Sequence, residues 1–582
     1  MKRLTLLLYI FIFCLAPAFP KEKTVHLKIL ETTDVHGNYF PENMIENKPW
    51  EGSLARVYGY AETLRKQYGE NLILLDNGDI LQGQPVAYYY NFIDTLSAHL
   101  CARMMNYIGY DAGNMGNHDI EAGHNVYDRF VAQCQHPVLG ANIINIKTGE
   151  PYLKPYHIIE RDGIKIAILG MITPSIPNWL PQYLWKDLRF DDMLETAKKW
   201  IPVLKNKEKA DIIIGLFHSG KGVRNSNASF SENAGYQIAE KVPGFDILLL
   251  GHDHRHYTRQ VTNTNGDTVW IANPSKNAFR VADFDLLITK KKKKIIRKEI
   301  KCQLTDIQNY PVDSVFTKQF QKEYLSVKNF VSEPIGYLKR SINTRPAFFG
   351  PSAFCDLIHE IQLNISKADI SFTAPLSFDT KIDIGSVHVR DLFKLYKYEN
   401  NLYTMELSGE EIKKYLEYSY ALWTNQMKSP DDDLLNYSNS KGEKWLTSFC
   451  FHYDSAAGIR YTVDVTQPAG SKIDIIGMAD GTPFDLNKKY KVAINSYRAN
   501  GGGGHLTKGA GIPADQISAR IINISDKDLR YYLMEYIKSK GTITPKAMNH
   551  WKFIPEEWTI PASKRDYIFL FHGKKASSAS EH

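Results

Sequence analysis

Cysteine is scarce in this chain. Among 582 residues there are six, and one of them, Cys14, lies inside an N-terminal apolar run. The other five, Cys101, Cys134, Cys302, Cys355 and Cys450, are scattered and odd in number, and none forms a C-x-x-C pair. Such spacing argues against a disulfide framework and against a zinc–thiolate site. Apolar runs long enough to span a bilayer are missing as well. No internal repeat is visible, and no glycine-rich loop carries the lysine–serine pattern of a Walker phosphate cradle. The net charge of +7 is modest, and much of it sits in five successive lysines at 290–294. That run reads as the solvated turn of a hairpin between apolar residues 284–288 and Ile295-Ile296. Without a glycine–aromatic RNA motif or a recognition helix, it does not make the chain a nucleic-acid binder.

What is present points to a large exported protein. The N-terminus has Lys2-Arg3, an apolar core over 4–15, and Ala16-Pro17-Ala18 before Phe19, the layout of a signal peptide cleaved after Ala18. The expected location is therefore periplasmic or cell-surface. The bulky Phe13 before Cys14 speaks against a lipoprotein. At 66.5 kDa the chain exceeds a single core, so at least two domains are expected. Residues 24–310 alternate strand-like runs (72–75, 164–169, 212–214, 247–250) with helical patterns (53–68, 193–204), a layered α/β domain with loops at strand ends. Residues 315–331 read as one helix, a linker spanning 311–334 that stops at Glu333-Pro334. A second, α+β domain follows over 335–560, with helices at 352–367 and 408–422 and strands at 460–465 and 491–495. The tail 574–582 has the composition of a disordered segment.

Five fragments carry the chemistry. Asp34-Val35-His36-Gly37 follows an apolar strand, and Asp76-Asn77-Gly78-Asp79 follows another. Gly116-Asn117-His118-Asp119, His218-Ser219-Gly220 and Gly251-His252-Asp253-His254 come next. Each puts Asp, Asn or His directly after an apolar run or a glycine. Alone, each His reads as an ordinary hydrogen-bonded loop residue. Together, five fragments of oxygen and nitrogen donors without cysteine favour a pair of divalent ions over a structural zinc. In the second domain, Asn495-Ser496-Tyr497-Arg498-Ala499-Asn500 precedes Gly501 to Gly504, whose backbone suits close approach to a flat ligand.

In this order the five fragments resemble the calcineurin-like metallophosphoesterases. With the second domain, the chain resembles the two-domain 5'-nucleotidase and 2',3'-cyclic-nucleotide phosphodiesterase family, over nearly its whole mature length. The resemblance implies a four-layer β-sandwich metallophosphoesterase domain, a linker helix and a C-terminal nucleotide-binding domain. It implies Asp34, His36 and His254 on one metal, Asn117, His218 and His252 on the other, and Asp79 bridging them. His118 would contact the phosphate and assist the leaving oxygen, held by Glu121 where many relatives have Asp. Asp119 would support the loop. Tyr398 and Tyr497 would sandwich the base, with Asn400 at its edge, and Arg345 and Lys381 are the nearest candidates for phosphate contacts. The metals would be zinc, manganese, cobalt or iron. Asp76 to Gly83 with Pro85, Ala141-Asn142-Ile143, Pro155-Tyr156 and Asn495 to Ala499 lean towards the branch that cleaves 2',3'-cyclic nucleotides and 3'-nucleotides. A 5'-nucleotidase or nucleotide-sugar hydrolase is the alternative, and a non-catalytic nucleotide-binding surface protein is the remote one. The partners expected are nucleotide substrates, not nucleic-acid polymers.

Overall fold

The computed structural model describes residues 22–572, apart from 292–293 and 441–442 and the side chains of 440 and 443. The expected signal peptide and tail lie outside the described residues. In the first domain two six-stranded sheets stack face to face. One runs, in spatial order, Lys294–Asp306, Arg280–Lys291, Lys23–Thr32, Leu72–Asp76, Ala112–Asn114, Val138–Leu139. The other runs His256–Thr262, Thr268–Pro274, Ile247–Leu250, Ile212–His218, Ile164–Ile172, Tyr156–Arg161. The four strands from Lys23–Thr32 to Val138–Leu139 are parallel. So are Ile164–Ile172, Ile212–His218, Ile247–Leu250 and Thr268–Pro274.

These strands are continuous apolar runs because both faces are covered. Leu27, Ile29, Ile73 and Leu75 meet Ile166, Ile168, Ile214 and Leu249 between the sheets. Helices Leu54–Tyr68 and Leu100–Ile108 cover the outer face of the first sheet through Leu30, Leu72 and Leu74. Met193–Pro202 and Gly235–Lys241 cover the second through Leu169, Ile213 and Leu248. Each such buried side chain contributes about 1.5–3 kcal/mol. The result is four layers, helix–sheet–sheet–helix, with the C-terminal ends of the parallel strands at one edge.

The second domain is built on a five-stranded sheet ordered Ser455–Ala457, Ile370–Thr373, Lys489–Asn495, Asn401–Ser408, Ile521–Asp528. Alternating residues split its two cores: Val492 and Ile494 face helix Gly409–Trp423, while Ala493 faces helix Ala353–Ser366. A capping box between Ser408 and Glu411 starts the former helix.

Several expectations need correction. The linker is two helices, Ser314–Gln319 and Gln321–Ser332, with the break at Phe320. It is not a free strut either, because Phe316, Phe320, Val327 and Val331 are buried in the first domain's core. Lys290, Lys291 and Lys294 belong to strands, and Lys290 pairs with Asp211 at 2.5 Å, so the lysine run is not simply a solvated turn. Helix Glu556–His572 extends the second domain's packing past 560 through Ala562 and Leu570.

Candidate functional site

The strand ends are laced together by their own loops. Asp34 N donates to Gly78 O and His36 N to Asp79 O, each at 2.9 Å. Behind them the Asn77 amide donates to Glu31 Oε1 (3.0 Å), Phe217 O (3.0 Å) and Leu249 O (3.2 Å), so one side chain ties strand ends from both sheets. Asp119 binds four backbone donors: Asp79 N, Ile80 N, Leu81 N and Gly116 N, at 2.8–2.9 Å. Glycine is required at 78, with φ +85°, and at 116, where a Cβ would come within 2.2 Å of Asp79 Oδ1. Asp34, His36, Asp79, His252 and His254 all have φ between 48° and 68°. Left-handed backbone at non-glycine residues is strained by roughly 1–3 kcal/mol each and gathers at functional loops.

The structure brings the candidate ligands into two adjacent groups. In the first, His254 Nε2 lies 3.0 Å from His36 Nε2 and 3.3 Å from Asp34 Oδ1. Gln82 Oε1 faces His36 Nδ1 at 3.2 Å, which leaves Nε2 as the lone-pair nitrogen of a neutral ring. In the second, His218 Nε2 lies 3.1 Å from Asp79 Oδ2 and 3.0 Å from Asn117 Oδ1. Asn117 Oδ1 is also 2.8 Å from His252 Nδ1. Asn77 O accepts from His218 Nδ1 at 2.7 Å, so Nε2 is the ring nitrogen turned to Asp79 and Asn117. Asp34 and Asp79 are 0% and 1% exposed. One ligand atom from each of Asp34, His36 and His254, and likewise from Asp79, His218 and His252, falls within 4.8 Å of the others in its group, close enough for a single cation to meet all three.

The electrostatics agree. Burial and the charge of His254 push the His36 pKa down to about 3. His218, although burial opposes it, is held up at about 9 by Asp79. Desolvation acts against the charge of Asp34 and Asp79, yet the histidines around them keep both carboxyls well below the usual range. The donor set of carboxylate, amide and imidazole therefore fits divalent cations.

His118 stands beside this pair of clusters. Its ring lies 5.5 Å from His36, and its Nδ1 meets Glu121 Oε2 at 2.5 Å. Glu121 thus reaches the imidazole despite its extra methylene. Burial opposes the charge on His118, but Asp79 and Glu121 hold its pKa up at about 10.

In the second domain, Leu402 pairs with Asn495, which puts the loop before strand Asn401–Ser408 beside helix Ser496–Ala499. Tyr398 and Tyr497 are half-buried on these neighbouring segments. Asn400 is 5% exposed, and its Oδ1 accepts from Ser496 Oγ at 2.9 Å, tying the two loops together. The glycine run serves the protein's own side chains: a Cβ at Gly502 would meet the Tyr497 ring at 2.5 Å, and one at Gly503 the Arg498 guanidinium at 2.4 Å. Arg345 and Lys381 are spent on Asp379 and Asp383. The domains touch directly, with Tyr183 Oη donating to Asn401 Oδ1 at 2.9 Å and Lys394 pairing with Glu46 at 3.3 Å.

Some site neighbours carry no sequence signal. Glu232 Oε1 sits 3.0 Å from His252 Nε2, and Trp179 stacks on the same ring at 5.5 Å. Glu232 and Trp179 lie outside the five fragments, and only the tertiary fold brings them in.

Two family profiles match the chain. The calcineurin-like phosphoesterase profile covers residues 27–256, and the 5'-nucleotidase C-terminal domain profile covers 332–508, together more than two thirds of the chain. The chain therefore belongs to the calcineurin-like metallophosphoesterases that carry a 5'-nucleotidase C-terminal domain, and it is a hydrolase. The Yersinia enterocolitica 2',3'-cyclic-nucleotide 2'-phosphodiesterase/3'-nucleotidase is 26% identical over 95% of this chain and 91% of its own length. The Bacillus subtilis trifunctional nucleotide phosphoesterase protein YfkN is 28% identical over 92% of this chain, which spans only 39% of that protein. The Thermus thermophilus 5'-nucleotidase precursor shares the fold, with TM-score 0.62, 20% identity, and coverage of 91% and 100% of the two chains. Among the described residues no helix is long and apolar enough to cross a membrane.

Proposed function

We propose that this chain is an exported nucleotide phosphohydrolase that releases nucleoside and phosphate from 2',3'-cyclic nucleotides and 3'-nucleotides. The observation that carries the reading is the pairing of two features in one chain. Two convergent groups of Asp and His side chains lie in the first domain, and two half-buried tyrosines lie on adjoining loops of the second, which touches the first through Tyr183 and Asn401; the former would seat the phosphate and the latter the base. Asp34, His36 and His254 would hold one divalent ion, Asn117, His218 and His252 the other, and Asp79 would be shared by the two. The donors suit zinc, manganese, cobalt or iron. When bound, such ions neutralise phosphate charge and make hydroxide available near neutral pH.

The chain's own groups do the rest. Glu121 fixes His118 through Nδ1, which leaves Nε2 to hold a proton and release it to the departing ester oxygen. Tyr398 and Tyr497 stack on the base, an interaction tolerant of base identity. Asn400 positions both loops. Glu232, Gln82 and the Asn77 carbonyl orient His252, His36 and His218. A cyclic ester opens at the 2' oxygen, and the 3'-monoester is then repositioned for the second cleavage. Export rests on the leader-like residues 1–18.

A substrate panel tests this: 2',3'-cyclic AMP, 3'-AMP, 5'-AMP and a nucleotide sugar, each with zinc, manganese and cobalt. Phosphate release from the first two, with 3'-AMP as an intermediate, is expected. Cleavage of 5'-AMP alone would overturn the branch and favour the 5'-nucleotidase reading.

A further inference from the structure

We propose that Asp356, His359 and His550 form a third divalent-cation site, inside the second domain and separate from the strand-end clusters. Asp356 and His359 stand three residues apart on helix Ala353–Ser366, hence on one face. They are 2% and 0% exposed. His550 comes from the segment just before strand Trp551–Ile554, and its side chain is 8% exposed. One ligand atom from each residue falls within 4.8 Å of the other two.

The hydrogen bonding leaves lone pairs without donors. His550 Nε2 donates to Ala456 O at 2.5 Å. Burial disfavours the imidazolium, so Nδ1 of the neutral ring carries a lone pair. That nitrogen has no hydrogen-bond partner and faces Asp356 Oδ1, itself an acceptor, at 3.9 Å. The separation is too long for a hydrogen bond, and two buried acceptors facing each other is a costly arrangement. Met548 N donates to Asp356 Oδ2 at 2.7 Å and fixes the carboxylate. A carbonyl on one imidazole nitrogen, with the other nitrogen turned to a carboxylate, is the pattern seen around metal-binding histidines.

His359 completes the set. Its Nδ1 lies 3.0 Å from Ser371 Oγ and its Nε2 3.2 Å from Ser455 Oγ. Ser455 Oγ has a second acceptor in Thr373 O at 3.4 Å, so its hydroxyl can turn away and free a ring nitrogen. Two imidazoles and a carboxylate suit zinc, whose ligand bonds of about 2.0–2.2 Å place tetrahedral ligands roughly 3.4 Å apart. The pair now at 3.9 Å must close by only a few tenths of an ångström. The fourth position goes to water or a serine hydroxyl. Such an ion would clip the C-terminal strand and helix, Trp551–Ile554 and Glu556–His572, to helix Ala353–Ser366, as structural metals do.

The test compares full-length protein with His550→Gln and Asp356→Asn after zinc loading and removal of free zinc, using elemental analysis and thermal melts. Both variants should bind one zinc fewer per chain than the unaltered protein and lose part of the zinc-dependent rise in Tm. Hydrolysis of a base-free aryl phosphate should stay within about twofold. The difference of one ion does not depend on how many ions the strand-end clusters hold, so it is read separately from the proposed function. Equal zinc in all three proteins overturns the site. If the variants do not fold, anomalous diffraction at the zinc edge from the unaltered protein decides: a peak among the three side chains supports the site, and none there overturns it.

Discussion

Asp119→Asn is a sharp probe of how the catalytic loops are held. Asp119 is 1% exposed and bonds four backbone N–H groups, two through each oxygen. Burial and the neighbouring Asp79 push its pKa up to about 6, so at about pH 8 the comparison is carboxylate against amide. Asparagine keeps one oxygen, and its NH2 then faces two N–H donors that have no other acceptor. Each unpaired buried donor costs about 1–3 kcal/mol, hence on the order of 2–6 kcal/mol for two. At about 2–4 °C per kcal/mol for a domain of this size, the first transition should fall by roughly 4–24 °C. The orphaned pair is Asp79 N with Gly116 N if the NH2 takes the Oδ2 place, or Ile80 N with Leu81 N if it takes the Oδ1 place; either way the loop that presents Asp79 should loosen and zinc affinity drop about 10–100-fold, as for other changes behind a metal ligand. Calorimetry with and without zinc, and zinc titration against a chelating dye, read both effects. A Tm within about 1 °C of the parent and unchanged zinc affinity would refute the reasoning.

Other expectations follow from the same geometry. His118→Asn should retain metal while lowering kcat about 10²–10⁴-fold on poor leaving groups, and much less on activated aryl phosphates; equal losses would exclude leaving-group assistance. Glu121→Gln should lower kcat in the same leaving-group-dependent pattern, and an unaltered profile would remove Glu121 from the mechanism. Tyr398→Ala and Tyr497→Ala should each raise KM for nucleotides by about 5–150-fold, equivalent to about 1–3 kcal/mol of stacking. Neither should slow hydrolysis of a base-free aryl phosphate, and a loss there would mean the tyrosines shape the phosphate site instead. In the second domain Arg498 meets Asp454 at 2.8 Å and, against the desolvation of burial, keeps its pKa down at about 2. A lowered folded-state pKa gives stability that is present above about pH 4 and lost as pH falls towards 2, roughly 2–3 kcal/mol. Asp454→Asn should flatten that part of the stability–pH curve, and an unchanged acid limb would assign it to other groups.

Much of the layout was legible because its signals are local. Parallel strands buried on both faces are apolar runs, and the Asp, Asn and His residues stand just where those runs end. Tyr398 and Tyr497 were reached only through the family resemblance, in different segments of the second domain. The rest depended on distance along the chain. Glu232 and Trp179 meet His252 only through folding, and Asp356 meets His550 across almost the whole second domain. The break at Phe320 was hidden because Phe316 and Phe320 keep helical spacing across it, so the apolar pattern runs on uninterrupted. The glycines at 502 and 503 read as room for a ligand, yet their neighbours are Tyr497 and Arg498, which no local pattern announces. Asn400 was expected at the base edge through the resemblance, and its buried bond to Ser496 holds two loops together.

The burial of the linker helices changes where the first domain ends. Phe316 packs on Tyr58 and Tyr107, and Phe320 on Tyr107, all at ring distances below 6 Å. A chain cut near residue 310 would leave helices Leu54–Tyr68 and Leu100–Ile108 with an apolar trough where four large side chains had sat, forfeiting roughly 6–12 kcal/mol of burial. A chain cut after Ser332 keeps the trough sealed. The autonomous unit therefore includes its linker. The boundary with the second domain falls at Glu333-Pro334, where the proline ring fixes φ, helical geometry gives out and strand Pro334–Leu338 begins.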